Sequence, residues 1–317
     1  MTGPLAGPGT AVRDGFMAAY QQAGADKTTT VEIYNTQSAD IRLLYEQALA
    51  AGADFVIGPL SKPDTVAVAA LPHPVPVVLL NEVPMAPMPQ VIWFGLSPVN
   101  EAKQVALKAS QRGYRQALVI APAGAWGNEV LAGFEAIWRR QGGRIAGRLR
   151  YDSTTALAPS IQGLLQSNDQ AGARRQDVDM IFLLGYPSAA RAIVPLLRYN
   201  YAGQLPIFST SAVYAGSPDS KLDRDLDGVI FCDMPFVFKQ EMPNKHWPEP
   251  LNSYSRLYAL GMDSYALTYQ WNTLTLFQSM GVHDQSGTLY FDPAYQLIRV
   301  MDFGQFQQGR PVLLTDN

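Results

Sequence analysis

Short apolar runs and amphipathic helical stretches alternate along this chain almost without interruption, which calls for a mostly parallel sheet covered on both faces. Strands are expected at Thr30–Tyr34, Phe55–Ile57, Pro76–Leu80 and Val91–Phe94. The rhythm then repeats at Gln116–Ala121, Arg144–Tyr151, Met180–Leu184 and Pro206–Thr210. Between them lie helical periodicities: Val12, Phe16, Ala19 and Tyr20 behind Thr10 as N-cap; Ile41, Leu44, Tyr45 and Ala48 up to Gly52; and Val66–Ala70. Ser97-Pro98 is a helix start, with Ser as N-cap and Pro at the first helical position. Val130, Phe134, Ile137 and Trp138 share a face in a helix from Gly127 to Gln141, and another helix spans Ala189–Tyr199. After Val229–Phe231 comes a proline-rich crossing, Met234–Pro250, then a long helical region from Tyr254 to about Met280, broken near Gly261. Short strands around Thr288–Phe291, Gln296–Met301 and Pro311–Leu314 close the chain.

Two α/β halves followed by a helix and a few strands imply a chain that returns to its first lobe. The expected fold is therefore α/β, two Rossmann-like lobes with parallel sheets joined by a multi-strand hinge. Lobe 1 is expected over residues 1–116 plus 250–290, and lobe 2 over 117–249 plus 291–317. The Gly/Pro-rich opening, Gly3-Pro-Leu-Ala-Gly-Pro-Gly9, reads as the bend that normally follows the first strand of such a sheet, with no strand before it. The expectation is that the first strand of lobe 1 is missing and that the chain is part of something longer.

Ligands of open α/β sheets sit beyond the carboxyl ends of the strands. Polar or aromatic residues just past strand ends are Ser61, Asn81 and Ser97 in the first half, and Trp126, Tyr186, Ser211 and Tyr214 in the second. They are the candidate interlobe cleft, offering hydrogen bonds and a stacking surface to a small ligand. The competing reading is that they cap helices and fill an interface between lobes.

Little else points to chemistry. Among 317 residues, 16% are charged and the net charge is −3, with Lys and Arg scattered along the sequence, so no basic stripe marks a nucleic-acid partner. Cys232, the single cysteine, lies in an apolar strand and reads as a buried thiol. His73, His246 and His283 are far apart, so no metal set is expected. The opening glycines match neither a Rossmann fingerprint nor a P-loop, and their prolines remove the N–H groups a phosphate cradle needs. Asp219–Asp227 lacks the Gly and closing Glu of a calcium loop and reads as a solvated, internally paired turn. No apolar run is long enough to span a bilayer, and no nucleophile–base arrangement or cofactor motif is present in the sequence; that lack of catalytic motifs shifts weight from enzyme to binding protein.

Several short motifs, in order, carry a family resemblance. They are Gly3-Pro-Leu-Ala6 with Val12-Arg-Asp-Gly-Phe16, Ile57-Gly-Pro-Leu60, Phe94-Gly-Leu-Ser-Pro98 and Trp126-Gly127. Asp225-Leu-Asp-Gly-Val229, Asp233-Met-Pro235, Ala259-Leu-Gly-Met-Asp263, Gly287-Thr-Leu289 and Gln307-Gln-Gly-Arg310 continue the series. The chain resembles the type I periplasmic binding-protein superfamily and, more closely, the C-terminal domain of the LpoA/LppC family, lipoprotein activators of a class A penicillin-binding protein. The resemblance implies a non-enzymatic regulator of peptidoglycan synthesis without a cofactor. It also implies a periplasmic protein tethered to the outer membrane in its full-length form, through a lipid anchor and an N-terminal domain that this chain lacks. The alternative is a periplasmic receptor for an amino acid or amide in a transport system.

Overall fold

The computed structural model describes residues 2–24, 29–83, 85–155, 157–166, 175–202, 204–239, 254–278 and 280–315. The chain forms two compact units: residues 1–97, 234–236 and 240–300 make unit 1, and residues 98–233, 237–239 and 301–317 make unit 2.

Unit 1 is built on a three-stranded parallel sheet of β1 (Val56–Ile57), β2 (Val77–Leu79) and β3 (Val91–Trp93), in that order. The central strand is buried throughout, as a continuous Val-Val-Leu run requires. Strand periodicity sorts its side chains. Val78, Leu80 and Ile92 join Val12, Leu260 and Leu267 in one core, while Val77, Leu79 and Val91 join Tyr45 and Val68 in another. The first core is made by α1 (Ala6–Gln22) and α9 (Tyr254–Leu276); the second by α2 (Ile41–Ala50) and α3 (Lys62–Ala69). An antiparallel sheet of β9 (Val282–His283), β10 (Thr288–Phe291) and β11 (Leu297–Val300) completes the unit, and Leu289 and Phe291 enter the first core.

Helices α1 and α9 meet through glycine. A Cβ on Gly15 would lie 1.9 Å from the carbonyl oxygen of Tyr258, and one on Gly261 would lie 2.0 Å from that of Val12. Phe16 and Tyr20 then stand edge-on to Tyr265, with centroids 5.4 and 5.9 Å away. Gly261 therefore does not break the helix as expected; it sits inside one continuous helix because a neighbouring backbone occupies the place of its side chain.

Two other expectations are corrected. Helix α1 starts at Ala6 and runs through Thr10, which is not its cap. Pro8 is its third residue, where a missing N–H costs no intrahelical bond. Thr30–Tyr34 joins no sheet among the described residues. It is held by side chains: Tyr20 Oη donates to the Thr29 carbonyl at 2.7 Å, and Val31 packs against Tyr20 and Tyr265.

Unit 2 carries a seven-stranded sheet in the order β13-β12-β8-β7-β6-β4-β5. The strands are β4 (Gln116–Pro122), β5 (Arg144–Tyr151), β6 (Met180–Leu183), β7 (Ile207–Ser209), β8 (Ile230–Asp233), β12 (Asp302–Gln307) and β13 (Arg310–Leu313). Pairing is parallel from β5 to β8 and antiparallel for β12 and β13. Helix α5 (Ala125–Arg140) presses Phe134 flat onto Phe182, 4.1 Å between centroids, and α7 (Pro187–Leu197) buries Ile193, Val194 and Leu197.

Among the described residues the unit boundaries differ from the expected lobes at three places, 98–116, 234–236 and 291–300. Helix α4 (Pro98–Gln111) falls in unit 2, where Gly133 of α5 approaches Val99 so closely that a Cβ would stand 2.7 Å from its methyl group. Residues 291–300, with β11, fall in unit 1 beside β10, where Phe291 stands edge-on to Trp271 of α9.

Candidate functional site

In unit 2 the parallel strands β4 and β6 end at Pro122 and Leu183, and the chain turns there into α5 and α7. Trp126 lies in the first turn of α5, and Tyr186 is the N-cap residue of α7. The structure brings these two, sixty positions apart, into a flat stack, with centroids 4.8 Å apart and planes 8° from parallel. Tyr186 is 59% exposed, so one face of the pair is open. Neither helix start has a side-chain cap, which leaves backbone N–H groups and the positive dipole ends beside the rings.

Both turns are pinned from below. Gly127 lets α5 settle on the end of β4, since a Cβ there would lie 2.0 Å from the Pro122 carbonyl oxygen. Arg150 Nη2 donates to that oxygen and to Asn128 Oδ1, each at 2.6 Å. On the other turn, Tyr151 Oη donates to the Leu184 carbonyl at 2.9 Å, and Gly185 packs against the same hydroxyl. Burial pushes the Tyr151 phenol up to about 12, so it stays a donor at any physiological pH. Arg150 and Tyr151 were not singled out from sequence; each acts across the sheet on a residue 28 or 33 positions away.

Ser211 and Tyr214 lie beyond β7 but turn inward. The backbone N–H of Ser211 donates to buried Glu101 at 2.9 Å. Tyr214, 3% exposed, packs against Phe231 and Phe306. Both residues are buried in unit 2.

In unit 1, Ser61 and Asn81 meet at a cavity of 430 Å³ whose other walls include Leu5, Pro8, Leu80, Leu96 and Leu257. Their polar atoms serve the fold. Ser61 caps α3, its hydroxyl accepting from Asp64 N at 3.2 Å and donating to Asp64 Oδ2 at 2.7 Å. Asn81 Nδ2 donates to the Leu60 carbonyl at 2.9 Å. Ser97 immediately precedes α4, as a cap residue would. A second apolar recess of 520 Å³ lies between β3, Trp271, Phe291 and Tyr295.

Apart from Tyr151 beneath the stacked pair, the most strongly perturbed groups, Cys232 and Asp263, sit in cores. Burial, then the charges of Glu101 and Asp233, pushes the Cys232 thiol well up. His73 is held below its usual range by burial against Tyr45, whose hydroxyl lies 2.9 Å from its Nδ1. His283 sits on β9 with Nδ1 3.0 Å from Thr288, and His246 lies outside the described residues. Among the described residues, no three His, Cys, Asp or Glu side chains converge on a metal position. The turn at Asp219–Asp227 is internally bonded as expected, yet its Asp223 is fully buried against Arg191, at 2.6 Å, rather than solvated.

Two α/β units traversed by a chain that leaves the first and returns to it are the architecture of type I periplasmic binding proteins. A solute-binding protein of an ABC transporter from R. palustris, solved with benzoate, superposes over 99% of this chain and 92% of its own with a TM-score of 0.58 at 12% identity, a likeness of fold alone. Residues 1–309 match the family described as "LppC putative lipoprotein", and the chain belongs to that family. The C-domain of LpoA (YraM) from Haemophilus influenzae, described as a regulator of PBP1A, superposes over 99% of this chain and 97% of its own, with a TM-score of 0.81 and 25% identity. The penicillin-binding protein activator LpoA of Photobacterium profundum is 26% identical over 96% of this chain. The chain spans about half the length of such curated relatives, 54% in that case.

Proposed function

We propose that this chain is the regulatory domain of a peptidoglycan-synthesis activator, working by direct contact with a class A penicillin-binding protein. The observation that carries this reading is near-complete two-way coverage of the Haemophilus influenzae C-domain, a regulator of PBP1A. The site geometry supports it. The candidate rings and hydroxyls offer surface and caps, and the strongly perturbed groups, Cys232 and Asp263, are locked inside the units. The domain acts without catalysis of its own. In the full-length protein it works in the periplasm, tethered to the outer membrane. Activation of this kind is a population shift, and a tenfold preference for the active synthase needs only about 1.4 kcal/mol of differential contact.

The test is to mix the purified domain with a class A penicillin-binding protein, and to measure both binding and transpeptidase rate. Binding with a raised rate is the expected result. A domain that leaves the synthase untouched, yet gains melting temperature from an amino acid or amide, would instead be a transport receptor.

A further inference from the structure

The seemingly scattered basic residues of the sequence are gathered by the fold. Residues 98–150 hold nine Lys and Arg against three Asp and Glu, whereas the rest of the chain holds fifteen against twenty-four. In a parallel β/α layer, helices end where the next strands begin. The ends of α4 and α5 and the starts of β4 and β5 therefore share one edge of unit 2, at the opposite end of the strands from Trp126 and Tyr186.

Arg112, Arg115, Arg139, Arg140 and Arg144 all lie on that edge, and all are exposed. The backbone N–H of Arg144 donates to the Arg115 carbonyl at 2.7 Å, and Trp138 Nε1 donates to the Arg144 carbonyl at 2.9 Å, which ties the end of α5 to both strands. Along β5, Arg148 extends the row and shares Glu135 with Arg139. The carboxylates facing this edge are few and engaged. Glu135 serves two arginines, Asp179 takes the backbone N–H groups of Arg115 and Gln116, and Asp177 is paired with Arg175. Arg112, Arg140 and Arg144 have no carboxylate partner among the described residues.

The cluster is made of arginine, with no lysine from residue 109 to residue 150. Guanidinium forks suit planar, bidentate acceptors such as carboxylates. The positions are spread over two helix ends and an edge strand, a footprint for a macromolecule rather than a small anion. A lipid surface would call for apolar side chains that insert beside the charges. Between Arg112 and Arg150 no large apolar side chain among the described residues is exposed. A second copy of the chain would set arginine against arginine on this edge.

We propose that this arginine face is where the chain docks an acidic surface of the protein it regulates, which presupposes the regulatory role proposed above. Arg139 and Arg140 also favour the carboxyl end of α5, so the test must separate docking from helix stabilisation. The variant is R112E/R140E/R144E in the 317-residue chain, with R112Q/R140Q/R144Q as the milder form should charge reversal impair folding, and circular dichroism to compare melting. A fluorescent deca-glutamate peptide is titrated at 50 and 300 mM NaCl. The native chain should bind it at low salt and lose about tenfold in affinity at high salt, and the variant should bind at least about tenfold more weakly at unchanged melting temperature. Absence of peptide binding by the native chain, or equal binding by a folded variant, overturns the arginine face. So does equally tight, arginine-dependent binding to vesicles containing 30% phosphatidylglycerol, which would make the surface a lipid contact. The same proteins are then tested on a class A penicillin-binding protein. If the native chain does not bind the synthase, the regulatory reading fails even where the peptide binds. If native and variant chains stimulate it equally, the regulatory reading stands and the docking face falls.

Discussion

Replacing Gly261 by alanine is the sharpest test of how unit 1 is assembled. On an isolated helix this change is favourable by about 1 kcal/mol, because alanine restricts the unfolded chain and glycine does not. Here the new methyl would lie 2.0 Å from the Val12 carbonyl oxygen and 2.9 Å from Phe16 N, both backbone atoms that no rotamer change can move. Ordinary contact needs about 3.4 Å or more, so α1 and α9 must part by more than about 1 Å. Separation loosens the Phe16, Tyr20 and Tyr265 rings and the Val12–Leu260 core. Overpacking of this kind costs about 3 kcal/mol, leaving a net loss of about 2 kcal/mol once helix propensity is credited. Calorimetry should show the unit 1 transition lowered by about 4–8 °C. Gly163 in α6 (Ala158–Leu165) is the control: nothing lies within 4 Å of its would-be Cβ, so Gly163→Ala should stabilise by about 0.5–1 kcal/mol. A Gly261→Ala protein as stable as the native one, or one that moves in the same direction as Gly163→Ala, would refute the close crossing.

Two further outcomes are expected. Asp263 on α9 accepts from the backbone N–H groups of Gln285 and Ser286, and burial together with the charge of Asp284 pushes its carboxyl up to about 8. A folded value above the unfolded 3.8 means that the folded state holds the proton more tightly, so stability is full below about pH 4 and declines towards pH 8. Urea titrations at pH 5, 6, 7 and 8 should therefore give Asp263→Asn a shallower decline than the native chain, by up to about 1.4 kcal/mol per pH unit; parallel profiles would sink the assignment. Removing the buried carboxylate with Asp223→Ala strands the Arg191 guanidinium and should cost about 3 kcal/mol, while Asp223→Ala with Arg191→Ala should cost less than the two single changes added together.

The alternation of strand and helix was legible because a buried parallel strand writes itself as an apolar run, as in Val77–Leu79 and Met180–Leu183. The positions of Trp126 and Tyr186 past strand ends were legible for the same reason. Their mutual stacking was not, since nothing local links residues 126 and 186. In sequence Tyr214 is a candidate cleft residue past a strand end; that Phe231 and Phe306 bury it is not legible there, because they come from other strands. Gly261 looked like a helix breaker until its partner, Val12 of a helix nearly 250 residues earlier, supplied the reason for it. The arginine face is not legible along the chain, because parallel topology collects helix ends and strand starts that are far apart in order.

The Gly15–Gly261 crossing also sets a timetable. Helix α1 is synthesised well before its partner α9, which begins 232 residues after α1 ends. At a translation rate of about 5–20 residues per second, the apolar side of α1 waits about 12–46 s for its cover. Strands β4 to β8 and their helices can all be paired within that interval. Helix α1 is thus made long before the helix that encloses it, and its apolar side stays uncovered while the sheet of unit 2 can already pair.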